Sequence, residues 1–128
     1  MRLLKILGAV AVLALVFPMS ARAADVGGKW SAEFNTPVGV QKYTYDLKVA
    51  GATLTGSATF ERMGEKGQAE LKEGKVDGDK VSFVEMLDFQ GNAIRIEYTG
   101  VLAGDEIKFT RKVGDFATEE LVAKRKKD

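Results

Sequence analysis

The chain has 128 residues, with 19 Lys and Arg against 18 Asp and Glu, and it contains no histidine and no cysteine. These absences exclude disulfides, the usual transition-metal ligands, the Ser-His triad and the thiolate nucleophile. The near-neutral charge argues against a nucleic-acid partner, which would need a concentrated basic face. We therefore expect no catalytic residue, no metal site, no cofactor and no nucleic-acid binding.

The first residues have the form of an export signal. The positively charged start MRLLK is followed by the apolar run ILGAVAVLALVF and by Ala21-Arg22-Ala23, a small-x-small cleavage pattern. The apolar run has 12 residues, fewer than the roughly 20 that a membrane-spanning helix needs. This pattern predicts a signal peptide at residues 1–23, a single domain at 24–128, no membrane span in the mature chain, and a periplasmic or secreted location.

A glycine-anchored repeat fills the rest of the chain. Gly27, Gly51, Gly78 and Gly104 are 24, 27 and 26 residues apart, and apolar residues follow them mostly at steps of two. Steps of two predict strands, because successive side chains of a strand point to opposite faces of a sheet. The segments before the glycines, such as QKYTYDLKV and NAIRIEYTG, alternate in the same way. Each unit therefore predicts an antiparallel hairpin with a glycine-containing turn.

Eight strands are predicted, at residues 28–35, 41–50, 52–60, 67–76, 79–87, 92–102, 105–113 and 116–125. In the fourth strand the apolar phase changes between Leu71 and Gly74, which predicts a β-bulge near Lys72-Glu73. An eight-stranded meander with one apolar face can form a sandwich or a closed barrel, and closure removes the exposed edges. Because the links are short, we expect an all-β, eight-stranded antiparallel up-and-down β-barrel.

The first and last predicted strands, which meet at one end of the barrel, carry a family resemblance. Gly28-Lys29-Trp30 opens the first strand and Arg125 ends the last, a pattern that resembles the calycin signature of lipocalins, avidins and fatty-acid-binding proteins. The resemblance implies that Trp30 plugs one end of the barrel and that Arg125 lies over its ring. The alternative is a core tryptophan without family meaning. The chain is shorter than lipocalins and lacks their C-terminal helix. It is more similar to avidins, without a biotin-binding residue set, or to small exported bacterial barrels that inhibit proteases.

Two copies of the repeat end in charged residues. DGDKVSFVE ends in Glu85 and AGDEIKFTR in Arg111, where the other units have Phe34 and Ala58. If the glycine turns share one end of the barrel, these positions lie near the opposite, open end. Arg111 is then a candidate anchor for a carboxylate or other anion, and Glu85 its resting partner or a hydrogen-bond acceptor. The alternatives are that both charges lie at the rim in water or simply pair with each other.

The predicted interior is rich in aromatic residues. The remaining candidate ligand-binding residues, Phe34, Tyr43, Tyr45 and Tyr98, face the same side as Trp30. Buried tyrosine hydroxyls would need partners, which a ligand or water could supply. Small residues in the same phase are expected to leave space for a small cavity, though not for a large one: Ala32, Gly56, Ala58, Gly74 and Gly100.

The predicted loops at the open end carry apolar residues beside the strand ends: Val38, Met63, Leu87, Phe89 and Phe116. They are interpreted as a ligand entrance, a contact patch or ordinary loop anchors. The leading hypothesis is an exported barrel that binds one small, partly apolar molecule at its open end, anionic if Arg111 is its anchor. The alternative is a protein-interaction or inhibitor module that acts on another exported protein through these loops or through residues 24–28. Nothing in the spacing of Glu85, Glu119 and Glu120 demands catalysis.

Overall fold

The computed structural model describes residues 26–37 and 39–126, without the side chain of Phe89. The predicted signal peptide lies outside these residues and stays a prediction. The strands are β1 (Gly28–Thr36), β2 (Gly39–Ala50), β3 (Thr53–Arg62), β4 (Glu65–Glu70), β5 (Lys72–Asp77), β6 (Lys80–Phe89), β7 (Asn92–Ala103), β8 (Glu106–Val113) and β9 (Ala117–Arg125). No helix in this described part of the chain is long and apolar enough to cross a membrane.

The strands form a closed antiparallel barrel. β4 and β5 both pair with β3 and together make one wall strand, so the nine segments occupy eight wall positions. Every other strand pairs with its neighbours in the chain, and β9 returns to β1 through Trp30↔Arg125 and Ser31↔Lys124. The prediction of an all-β, eight-stranded up-and-down barrel is thereby confirmed. This architecture is consistent with a calycin-like fold.

The predicted β-bulge is present and accounts for the break between β4 and β5. The register against β6 shifts between Lys72 and Lys75, and Glu73 has a φ of 54°. Leu71 and Val76 are both buried although they are five positions apart. An odd separation puts two side chains on the same face only if the strand contains one extra residue, which the bulge supplies.

Three of the repeat glycines lie in turns at one end of the barrel. Gly51, Gly78 and Gly104 have φ values of 63°, 63° and 65°, and each is the first residue of a two-residue loop. A positive φ at this position is typical of type II′ hairpin turns, which favour glycine. We call this end, where β1 also starts, the closed end. The opposite end, which includes Pro37 and the loops at residues 63–64, 90–91 and 114–116, is the mouth.

Aromatic side chains fill the barrel interior. The rings of Phe83 and Tyr98 stack with centroids 4.5 Å apart, and Phe109 meets each of them edge-on at 5.5 Å. The expectation that small residues leave space here is wrong for the glycines. A Cβ at Gly56 or Gly74 would overlap a backbone carbonyl oxygen of the neighbouring strand, and at Gly100 it would meet the Phe109 ring. These glycines allow close approach of backbone and rings, and the interior is packed beside them.

Candidate functional site

The closed end is sealed by Trp30 and Arg125. Trp30 is completely buried, and its indole N–H donates to the carbonyl of Val26 over 2.8 Å. The Arg125 guanidinium lies 4.3 Å from the Trp30 ring centroid, and its Nη1 donates to the Gly27 carbonyl over 3.0 Å. Such a cation–π contact contributes about 0.5 to 2 kcal/mol. Val26 is itself buried, so this part of residues 24–28 is not free to enter a partner's cleft.

Strand register brings together the charged residues of the interior. Tyr98, Arg111 and Glu119 are direct cross-strand partners on β7, β8 and β9. Direct partners on one face of an antiparallel sheet have Cβ atoms roughly 5 Å apart, so the three side chains form one row. Glu85 lies on β6, two residues beyond Phe83, which pairs with Tyr98. The row therefore continues diagonally to Glu85, the acidic residue that ends its repeat unit.

Arg111 and Glu85 are buried and are connected mainly through hydroxyl groups. Their exposed fractions are 2% and 0%, and Arg111 Nη2 lies 3.9 Å from Glu85 Oε1. Arg111 donates from Nε to the Tyr98 hydroxyl at 2.8 Å and from Nη1 to Glu119 Oε1 at 2.6 Å. Because both charges are buried, the alternative that placed them at the rim in water is wrong.

Tyrosines complete the connections across the barrel. From β2, the Tyr43 hydroxyl donates to Glu85 Oε2 at 2.8 Å and accepts from Arg111 Nη2 at 3.0 Å. The Tyr98 hydroxyl donates to Glu85 Oε1 at 2.9 Å and accepts from the Tyr45 hydroxyl at 3.0 Å. The tyrosine hydroxyls thus have protein partners. We call the six residues Tyr43, Tyr45, Glu85, Tyr98, Arg111 and Glu119 the arginine cluster.

Burial controls protonation in the arginine cluster. Loss of water raises the pKa of Tyr43, Tyr45 and Tyr98 above the ordinary value, and the nearby Glu85 carboxylate raises it further. Burial alone would lower the pKa of Arg111, but the two tyrosine oxygens and Glu85 outweigh it and hold this pKa above its usual value. The tyrosines therefore stay neutral donors and Arg111 stays a cation at any physiological pH.

Above the arginine cluster, the mouth contains a concave recess of about 630 Å³. We call it the mouth recess. Its polar lining comes from Thr36, Gln41, Arg62, Glu65, Lys66, Asp88, Arg111 and Glu119. Its apolar lining comes from Phe60, Met63, Leu87, Ile94, Val113 and Phe116. A second, shallower groove of about 930 Å³ runs along the outside of the barrel and is lined mainly by polar residues.

The predicted ligand-binding residues separate into two levels. Arg111 lines the mouth recess, whereas Glu85, Tyr45 and Tyr98 are buried in the interior. Phe34 is buried too and stacks on Tyr43 with centroids 5.7 Å apart. Of the predicted mouth residues, Met63, Leu87 and Phe116 line the recess, while Val38 and the Phe89 side chain lie outside the described part.

Sequence reasoning missed Gln41 and Arg62. Both follow the inward phase of their strands, Gln41 two residues before Tyr43 and Arg62 two residues after Phe60, and they are direct cross-strand partners. Strand β3 was predicted to end at residue 60 but continues to Arg62. The alternation of inward and outward side chains could have identified both residues, because it continues beyond the apolar part of each strand.

Comparisons with known proteins identify no relative: no family pattern, no curated protein and no solved structure matches this chain. The calycin resemblance therefore depends on the barrel architecture and on the contact of Trp30 with Arg125. Within residues 26–37 and 39–126, no group of three or more Asp and Glu side chains is arranged to hold a metal ion. What the site offers chemically is a concave surface of apolar, polar and charged side chains, in which Arg111 and Glu119 are held by the arginine cluster.

Proposed function

We propose that the protein is an exported, calycin-like barrel that binds a small, partly apolar molecule in the mouth recess. The observation that carries this proposal is the recess itself, about 630 Å³ in volume, whose lining combines apolar side chains with a similar number of polar and charged ones. Ligand sites in proteins are typically concavities of roughly 300 to 1,000 Å³. The export signal predicted from the first 23 residues supports a location outside the cytoplasm.

The base of the recess is preorganised. Arg111 is held by Glu119 and by the hydroxyls of Tyr43 and Tyr98, and the tyrosines are held in turn by Glu85. A polar group fixed in this way loses little conformational freedom when a ligand arrives, which favours affinity. The deep residues that we predicted as ligand contacts then act by orienting Arg111 and not by touching the ligand.

The site is suited to the apolar part of a ligand but less suited to an acidic head group. Glu119 already accepts from Arg111 Nη1 at 2.6 Å, so a ligand carboxylate would compete with it for the guanidinium. The arginine cluster also contains two carboxylates, Glu85 and Glu119, for one guanidinium. The rest of the recess lining adds two acids, Glu65 and Asp88, and two bases, Arg62 and Lys66. An incoming anion would therefore still meet a small local excess of negative charge.

Methyl resonances of methionine provide a test with an internal control. Met63 is 71% exposed and lines the recess, whereas Met86 is 38% exposed and lies on the outer face of β6. The exported protein, labelled at its methionine methyl groups, would be titrated with 1-octanol and with octanoate. We expect a saturable shift of the Met63 resonance and a constant Met86 resonance. Equal shifts of both, or no shift of either, would contradict the proposal.

A matched pair of variants locates the binding. Ala117 lines the recess, whereas Ala93 is exposed at the start of β7. Ala117→Trp should fill the recess and abolish the Met63 shift, and Ala93→Trp should leave it unchanged. Binding that survives in Ala117→Trp would place the ligand elsewhere.

A second candidate is a protein-interaction module that uses the rim of the mouth. Phe116 and Met63 are 78% and 71% exposed, and exposed apolar side chains that lie together mark contact surfaces. A photo-crosslinking residue placed at position 116, with position 86 as the control, would be expressed in the exporting cell. A defined adduct at 116 and none at 86 supports the module, and equal crosslinking at both positions refutes it.

A further inference from the structure

Gln41 has a buried acceptor without a partner. The residue is 6% exposed, it lines the mouth recess, and its Oε1 makes no hydrogen bond to the described residues. Its amide nitrogen faces Thr36 Oγ1 at 3.5 Å. Thr36 donates its hydroxyl proton to the Gly39 carbonyl at 2.8 Å, so Oγ1 can only accept from Gln41. With the amide nitrogen toward Thr36, Oε1 has no hydrogen-bond partner among the described residues.

The arginine on the neighbouring strand does not satisfy this acceptor. Arg62 is the direct cross-strand partner of Gln41, but its guanidinium stacks on the Phe60 ring and donates to the Tyr43 hydroxyl at 3.3 Å. A buried acceptor without a donor lowers stability, and native proteins contain few of them. Such an atom can receive its missing hydrogen bond from an ordered water or from a bound molecule.

We propose that Gln41 Oε1 receives a hydrogen bond from the ligand's head group, and that this head group is a neutral hydroxyl or N–H donor. The inference rests on the proposed function, since it specifies which molecules the mouth recess accepts. A carboxylate brings no proton at neutral pH and would place its lone pairs against Gln41 Oε1 and against Glu119. An alcohol or amide donates to Gln41 and places its apolar part against the walls of the recess.

Two isomeric probes isolate the donor. The molecules 1-octanol and 1-methoxyheptane have the same atoms, but only the alcohol can donate. Calorimetric titration of the exported protein should show the alcohol binding about three- to ten-fold more tightly than the ether, the usual net effect of one hydrogen bond. Octanoate should bind more weakly than the alcohol. This comparison uses the unaltered protein and therefore does not depend on whether a variant folds.

Variants then assign the preference to Gln41. In Gln41→Leu the alcohol and the ether should bind equally, whereas Gln41→Glu keeps an acceptor and should retain the preference for the alcohol. The thermal unfolding of Gln41→Leu without ligand should be no lower than that of the parent, because the change removes an unsatisfied group. A purely structural role for Gln41 would lower stability and leave the ratio of the two affinities unchanged.

Each outcome separates this inference from the proposed function. Equal affinities for the alcohol and the ether, or tighter binding of octanoate, overturn the donor inference, while a Met63 shift with any probe still supports binding in the recess. If none of the three probes binds, both proposals fail. A preference for the alcohol that persists in Gln41→Leu shows that another acceptor receives the proton and overturns the assignment to Gln41.

Discussion

Replacing Arg111 by methionine tests whether ionic contacts hold the centre of the barrel together. The change keeps much of the aliphatic length and removes three donated hydrogen bonds, to Tyr98, Tyr43 and Glu119. It leaves the Glu85 carboxylate completely buried, with its two tyrosine donors and no cation. Breaking a buried pair in this way typically costs about 3 to 5 kcal/mol. We expect a loss of this size in the free energy of unfolding.

The loss can be measured by urea unfolding followed through tryptophan fluorescence. Trp30 is the single tryptophan and lies at the closed end, so it reports on the barrel and not on the altered site. A shift of about 4 to 8 °C per kcal/mol also predicts a melting temperature lower by roughly 12 °C or more for Arg111→Met. The matched control is Arg95→Met, because Arg95 donates to Glu73 at 2.8 Å on the exposed surface. Its removal leaves no desolvated charge, and the loss should be much smaller.

The double variant Glu85→Gln/Arg111→Met separates buried charge from lost packing. Because the double variant leaves no buried carboxylate without a cation, it should be more stable than Arg111→Met alone. Two results would contradict a stabilising role of the buried ion pair. One is that Arg111→Met loses no more unfolding free energy than Arg95→Met, and the other is that adding Glu85→Gln to Arg111→Met restores none of it.

The remaining predictions concern titration and packing. The three tyrosines, all buried with raised pKa, should show no phenolate absorbance at 295 nm in the folded protein near pH 10, where unfolded tyrosine ionises. Because their pKa is higher in the folded state, the stability that they contribute is present below about pH 10 and falls as pH rises beyond it, which urea unfolding at several pH values checks. Gly51→Ala meets open space at a φ of 63° and should cost about 1 to 2 kcal/mol. Gly74→Ala would overlap the Leu54 carbonyl and should cost more in the same assay; a smaller loss would show that the strands can separate there. Arg125→Leu should lower unfolding free energy by about 1 to 2 kcal/mol and shift Trp30 emission, and an unchanged spectrum would count against the ring contact.

Much of the wall of the barrel was predictable because its determinants are local. Alternation with a period of two identifies which side chains point inward, and it placed Glu85 and Arg111 inside although both are charged. The predicted strand limits differ from those observed by a few residues at most, apart from the bulge that divides one strand into β4 and β5. The bulge was readable from the change of phase before Gly74, because an extra residue reverses the alternation.

The sequence by itself therefore determined the strands, their inward faces, the turn glycines and the presence of one acid and one base toward the mouth. Only the tertiary structure decided what these residues contact. Tyr43 and Arg111 are 68 positions apart and meet because the barrel closes, and the level at which residues meet across a barrel depends on strand stagger, which no single segment encodes. For the same reason Gly56 and Gly74 turned out to be close-packing positions, and Gln41 became a buried residue in the lining of the mouth recess.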